Sequence, residues 1–71
     1  MTVEQIEVLA RAGTAIAQNP YITDKRVQLT VDGDCLRILG NVSSFFQKQM
    51  VQEALRPIVA SMRIENDLIV N

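Results

Sequence analysis

The apolar residues of this 71-residue chain change their spacing three times, and this alternation constrains the fold more than any other feature. Steps of three and four residues predict a helix over residues 2–18, which ends at Asn19-Pro20. The spacing becomes two at Val27, returns to helical steps after Ser44 and becomes two again near Met62. The chain is therefore predicted to fold in the order α-β-β-α-β.

A β-hairpin is predicted between residues 27 and 42. Val27, Leu29 and Val31 alternate with polar residues, which indicates a strand with one buried face. The Asp32-Gly33-Asp34 segment that follows predicts a tight turn, because Gly33 adopts a positive φ without strain. Its two carboxylates also suggest a cation site, but a turn explains them without one. The second strand, residues 35–42, is predicted to turn four residues inward: Leu36, Ile38, Gly40 and Val42.

Each predicted helix has one apolar stripe that we expect to face the sheet. Thr2 is the expected N-cap of the first helix. Gly13 is expected to let this helix approach the sheet closely, and Gly40 in the second strand is expected to let a helix approach closely. The second helix is predicted to start with a capping box between Ser44 and Gln47 and to end or bend at Pro57. The inward residues of the first helix are predicted to be Val3, Ile6, Leu9, Ala10, Gly13, Ile16 and Ala17. Those of the second are Phe46, Met50, Val51, Ala54, Leu55 and Ile58, with Phe45 partly exposed.

A third strand is predicted over residues 62–70, with Asn66 as a polar residue on its inner face. We expect the Asn66 amide to hydrogen-bond to the backbone there, because an unpaired buried amide is costly. A right-handed crossover through the second helix makes this strand parallel to the second one. The predicted fold class is α+β, a single domain over residues 1–71 with two helices on one face of a three-stranded mixed sheet.

The spacing of these residues is also typical of a known domain. Gly33 precedes a strand that reads Leu36-Arg37-Ile38-Leu39-Gly40-Asn41-Val42, and a helix separates it from Ile64-Glu65-Asn66-Asp67-Leu68-Ile69-Val70. Residues 27–70 therefore resemble the BON domain family, whose pattern is a turn glycine, a V-x-L-x-G-x-V strand, a helix and a V-x-N-x-L-x-V strand. The resemblance implies a binding module and singles out Gly33, Gly40 and Asn66 as structural residues. It also implies phospholipid binding or membrane anchoring as an alternative.

Composition excludes several kinds of chemistry. The chain has no His, no Trp and one Cys, so His-based triads, Cys-rich zinc sites and an intrachain disulfide are ruled out. We expect no enzyme and no cofactor. Catalysis would need an acid or base from carboxylates that show no paired spacing: Asp24, Asp32, Asp34, Glu53, Glu65 and Asp67. Nucleic acid is not an expected partner, because the net charge is −1 and the aromatic residues are Tyr21, Phe45 and Phe46 alone.

The charges favour a protein partner over a lipid one. Lys25 and Arg26 form a thin basic patch, whereas anionic lipid attracts clusters of basic residues.

The N-terminal residues lack the basic start and apolar run of a signal peptide. We therefore expect a cytoplasmic protein, although BON relatives are often exported or part of envelope proteins.

The sheet face away from the helices is the expected interaction surface. Alternation places nine residues there: Gln28, Thr30, Cys35, Arg37, Leu39, Asn41, Glu65, Asp67 and Ile69. Cys35, Leu39 and Ile69 are expected to form an apolar island beside Arg37 if their strands are neighbours. The expected partner is a second copy or another protein, bound at this face or at a strand edge, because self-association would enlarge a small core.

Overall fold

Within the described part of the chain, two helices and four strands follow one another in the predicted order. The computed structural model describes residues 1–23, 26–59 and 61–71, so Asp24 and Lys25 lie outside the described residues. Its elements are helix α1 (Val3–Gln18), strands β1 (Val27–Asp32) and β2 (Cys35–Val42), helix α2 (Phe45–Leu55) and strands β3 (Arg63–Asn66) and β4 (Ile69–Val70). The α+β prediction is confirmed, although the last predicted strand is divided into β3 and β4 and the sheet has four strands.

Strand β2 lies at the centre of the sheet. It pairs antiparallel with β1, where Leu29 is opposite Ile38, and parallel with both β3 and β4. Ile38 pairs with Asn66, and Val42 pairs with Val70. The two partners are 28 residues apart in the sequence in both pairs, so β3 and β4 continue one register along β2. The break falls where the side-chain oxygen of Asn66 accepts from the N–H of Leu68 at 3.2 Å. A side-chain bond therefore interrupts an otherwise continuous strand.

The core lies between the helices and one face of the sheet. Leu36, Ile38 and Val42 of β2 are buried on this face, whereas Arg37 and Asn41 on the opposite face are exposed. Helix α1 packs against β1, and helix α2 packs against β2, β3 and β4. The helices and loops contribute the remaining buried apolar residues of the cluster: Ala12, Ile16, Ile22, Val51, Leu55, Val59 and Leu68.

Helix α1 buries a different stripe from the one predicted. The Thr2 hydroxyl caps it as expected, and Thr2 and Gln5 complete a capping box. Ala12 and Ile16 are the fully buried positions, with Val8, Leu9 and Ala15 partly buried beside them. The inward prediction was wrong for Val3, Ile6, Ala10, Gly13 and Ala17, which are exposed. Apolar residues cover two sides of this helix, so spacing alone does not select the side that packs.

Helix α2 ends at Leu55, just before Pro57, in agreement with one of the two predicted outcomes. The Ser44 hydroxyl accepts from the Gln47 N–H at 3.2 Å, so half of the predicted capping box is present. The Gln47 side chain instead bonds to the loop after α1, at the carbonyl of Tyr21 and the N–H of Thr23. Gln47 thereby takes the inward position, and the prediction that Phe46 is buried was wrong.

The glycines separate into two kinds. Gly33 has a φ of 62° at the hairpin turn, and Gly40 in β2 has a φ of 134°. A Cβ on Gly40 would lie 2.7 Å from the carbonyl oxygen of Arg26, in the backbone that leads into β1. The expected reason, a close helix, was wrong for Gly40. The expected close approach to the sheet was also wrong for Gly13, where a Cβ would meet nothing within 4 Å.

We therefore expect Gly40→Ala to lower the free energy of unfolding by about 2 kcal/mol or more, because it combines a strained φ with a backbone clash. Gly13→Ala is the matched control, and it should raise stability by up to about 1 kcal/mol, the usual preference for Ala inside a helix. Urea unfolding followed by circular dichroism measures both. A Gly40→Ala variant as stable as the parent would contradict this description of the β1–β2 pair.

Candidate interaction surface

The open face of the sheet, the side without helices, is a mostly polar surface. Three residues of β1, four of β2, three of β3 and β4, and Asp67 between β3 and β4 point to this side, as the register requires. They are Gln28, Thr30 and Asp32; Cys35, Arg37, Leu39 and Asn41; and Arg63, Glu65, Asp67 and Ile69. All of them are exposed except Leu39, which is half-buried, and Cys35, which is buried.

Arg37 is at the centre of the open face and pairs with two carboxylates. Its Nε lies 3.1 Å from Glu65 Oε2, and its terminal nitrogen Nη2 lies 3.4 Å from Asp67 Oδ2. The Arg37 side chain is 45% exposed, so each pair contributes at most about 1 kcal/mol. These contacts connect β2 to β3 and to the segment between β3 and β4, and they keep the guanidinium close to the sheet.

Cys35 lies at one end of this polar group rather than on an open apolar surface. It is 7% exposed, and its register partners on either side are Asp32 and Arg63. Its Sγ is 3.7 Å from Glu65 Oε2. Burial raises the pKa of the Cys35 thiol, and the negative charge of Glu65 raises this pKa further. The thiol is therefore mainly protonated near neutral pH and is a poor nucleophile.

The expected apolar island of Cys35, Leu39 and Ile69 is not continuous. Arg37 lies between Cys35 and Leu39 along β2, and its ion pairs cross the space between them. Ile69 is opposite Asn41, so Leu39 and Ile69 are diagonal neighbours on adjacent strands. Ile69 is 60% exposed. The apolar part of the open face is therefore reduced to Leu39 and Ile69.

Asn66 connects β3 to α2 from the inner side of the sheet. Its amide nitrogen donates to the carbonyl of Lys48 at 3.0 Å and to the side-chain oxygen of Gln52 at 3.2 Å. Its amide oxygen accepts from the N–H of Leu68. Asn66 thus uses both ends of its amide to hold the helix against the edge of the sheet.

A second set of exposed residues is connected to Gln47 through the backbone, and sequence reasoning missed it as a set. Tyr21, Phe45 and Phe46, all the aromatic residues of the chain, are 63%, 75% and 56% exposed. The Gln47 bond of 2.7 Å to the Tyr21 carbonyl brings the loop after α1 to the start of α2. The adjacent phenylalanines before an inward polar residue were the signal available in the sequence.

The outer edge of β1 is a third exposed feature. The carbonyls of Ile38 and Val42 accept from Asp67 and Asn71, so the even-numbered groups of β2 point toward β3 and β4. The backbone groups of the odd-numbered residues of β2 therefore point toward β1. Their register partners, and so their hydrogen-bond partners, are the even-numbered residues of β1. The N–H and C=O groups of Val27, Leu29 and Val31 consequently point away from the sheet.

The described residues form neither a membrane-spanning helix nor a metal-binding cluster. In this part of the chain, neither helix combines the length and apolar character that crossing a bilayer requires. No three acidic or thiol side chains of residues 1–23, 26–59 and 61–71 lie close enough together to hold a metal ion.

None of three comparisons, with protein-family models, with curated proteins and with solved structures, gives a match to this chain. The surfaces described above are therefore the basis for a functional proposal.

We expect Asn66→Ala to lower the free energy of unfolding by about 1–3 kcal/mol, because it leaves the Leu68 N–H and the Lys48 carbonyl without their partner. Asn41→Ala is the matched control on the open face and should change stability by less than about 0.5 kcal/mol. Thermal unfolding of the two variants tests the difference. Equal melting temperatures for the parent and Asn66→Ala would contradict the role given to this amide.

Proposed function

We propose that this chain is a non-catalytic interaction module, similar to a single BON domain, that associates with a second copy of itself or with another protein. The observation that most supports an interaction role is the exposed apolar surface of the chain. Among the described residues, seven large apolar side chains are more than half exposed: Met1, Val3, Ile6, Tyr21, Phe45, Phe46 and Ile69.

The energetics of burial favour a protein partner for these side chains. Full burial of a side chain such as Ile or Phe contributes roughly 1.5–3 kcal/mol. Aromatic residues are enriched in protein interfaces because they remove a large area from water with little loss of conformational entropy. A chain of 71 residues also gains from association, because its own core is small.

The resemblance to the BON family agrees with a binding role. Its pattern requires a turn glycine, a glycine in the following strand and an asparagine in the last strand, and Gly33, Gly40 and Asn66 occupy these places. In this chain the three residues support a turn, a close strand pair and a helix contact. Each of these roles is structural, so the resemblance points to a scaffold that presents surfaces rather than to a reaction.

We expect sedimentation equilibrium to detect a dimer between low and high micromolar concentration. We expect the association to be reversible, so the apparent mass should rise smoothly with concentration from the mass of one chain toward the mass of two. A chain that stays strictly monomeric at high micromolar concentration would contradict self-association. The remaining form of the proposal, a different protein partner, would then have to be tested separately.

Peripheral binding to phospholipid is the second candidate, and the start of α2 is the observation that favours it. Phe45 and Phe46 are exposed next to each other, with Lys48 one turn later. Co-sedimentation with vesicles tests this, with and without anionic lipid and over a range of salt concentration. Binding that disappears at high salt and in Phe45→Ser would support the lipid role. No binding at any composition would contradict it.

A further inference from the structure

We propose that the partner is a second copy bound at the outer edge of β1, with the two β1 strands antiparallel and centred on Leu29. This inference rests on the proposed self-association and specifies the surface and the register. The two sheets would join into one, with both pairs of helices on the same face.

The direction of the backbone groups supports this edge. Val27, Leu29 and Val31 direct their N–H and C=O groups outward, as derived above from the bonds of β2. In an antiparallel pair centred on Leu29, Leu29 lies opposite its own copy and Val27 lies opposite Val31 of the second copy. All three outward residues then form hydrogen-bonded pairs. If the pair were centred on Gln28 or Thr30 instead, one of the three outward residues would lie opposite a residue outside β1 and would lose its strand partner.

Of the two outer edges of the sheet, β1 is the less protected. It runs for six residues without a proline, and its first charged side chain is Asp32 at its end. The opposite edge is divided into strands of four and two residues, and Asn66 already accepts from the outward N–H of Leu68. Proteins commonly protect exposed edges with charges, breaks and short strands. The opposite edge has all three, whereas β1 lacks them over residues 27–31.

The charges of Asp32, at the end of β1, and of Arg26, the residue directly before β1, complement each other in the same register. Centring on Leu29 places Arg26 opposite Asp32 of the second copy, and the two-fold axis repeats this pair. Gln28 lies opposite Thr30 of the second copy, and both are uncharged. Within one chain Arg26 and Asp32 are six residues apart, about 20 Å along a strand, so they do not form this pair intramolecularly. This particular pair can therefore form only between copies.

Helix α1 supplies apolar area beside this edge. Helix α1 packs on β1, and α2 packs on the other strands, so α1 is the helix beside the free β1 edge. Its exposed apolar residues include Val3 and Ile6, which are 72% and 54% exposed. A standard interface covers about 800 Å² per partner. That is about a sixth of the 4639 Å² surface of this chain, more than a strand edge alone provides.

A charge-exchange cycle tests the register. Arg26→Asp places two carboxylates opposite each other at both ends of the pair, and Asp32→Arg places two guanidinium groups there. We expect each single variant to raise the dimer Kd about tenfold at low salt, because two exposed pairs change from attraction to repulsion. The double variant restores opposite charges and should return Kd to within about threefold of the parent value. High salt should remove the differences.

Two further measurements make the outcome decisive. Thermal unfolding of each variant confirms that it folds, and Leu39→Glu on the open face serves as the control surface, with an expected change in Kd of less than about threefold. A dimer Kd that does not change in Arg26→Asp or Asp32→Arg would overturn the β1 pairing and leave self-association intact. Dissociation of the dimer by Leu39→Glu would have the same consequence. A parent chain without any dimer would overturn the β1 pairing and, with it, the self-association form of the proposed function.

Discussion

The position of β2 determines the rest of the molecule. Its inner residues Leu36, Ile38 and Val42 are almost completely buried, and every other strand pairs with it. Because successive strand residues point to opposite faces, a shift of one residue would bring Arg37 and Asn41 into the core. The same alternation assigns the even-numbered backbone groups of β2 to β3 and β4 and the odd-numbered groups to β1. It thereby also fixes which groups of β1 remain unpaired at the edge.

Two amide side chains attach α2 to the structure around it. Gln47 is 6% exposed and binds the loop after α1, whereas Asn66 binds the middle of α2 from β3. Removing the partners of a buried or partly buried amide is costly, so these two side chains specify one arrangement of the helix. One consequence concerns function: since Gln47 takes the inward position, Phe45 and Phe46 remain on the surface.

The hairpin was predictable because its period of two, its turn glycine and its inner residues all indicate the same fold. The helix faces were less predictable. Apolar residues occupy two sides of α1, so the choice of Ala12 and Ile16 over Ile6 and Gly13 depends on tertiary packing. The bonds of Gln47 and the break after Asn66 depend on partners that no local pattern specifies. The open-face positions followed from alternation, but the burial of Cys35 depends on side chains from the neighbouring strands.

Amide hydrogen exchange at the β1 edge, measured by NMR at increasing protein concentration, tests the account most directly. In a single chain, the N–H groups of Val27, Leu29 and Val31 face water, while those of Gln28 and Thr30 bond to β2. We predict that protection of the three odd-numbered amides rises with concentration as the dimer forms, while the even-numbered amides stay protected throughout. Odd-numbered amides that exchange equally fast in the monomer and in a proven dimer would contradict the pairing.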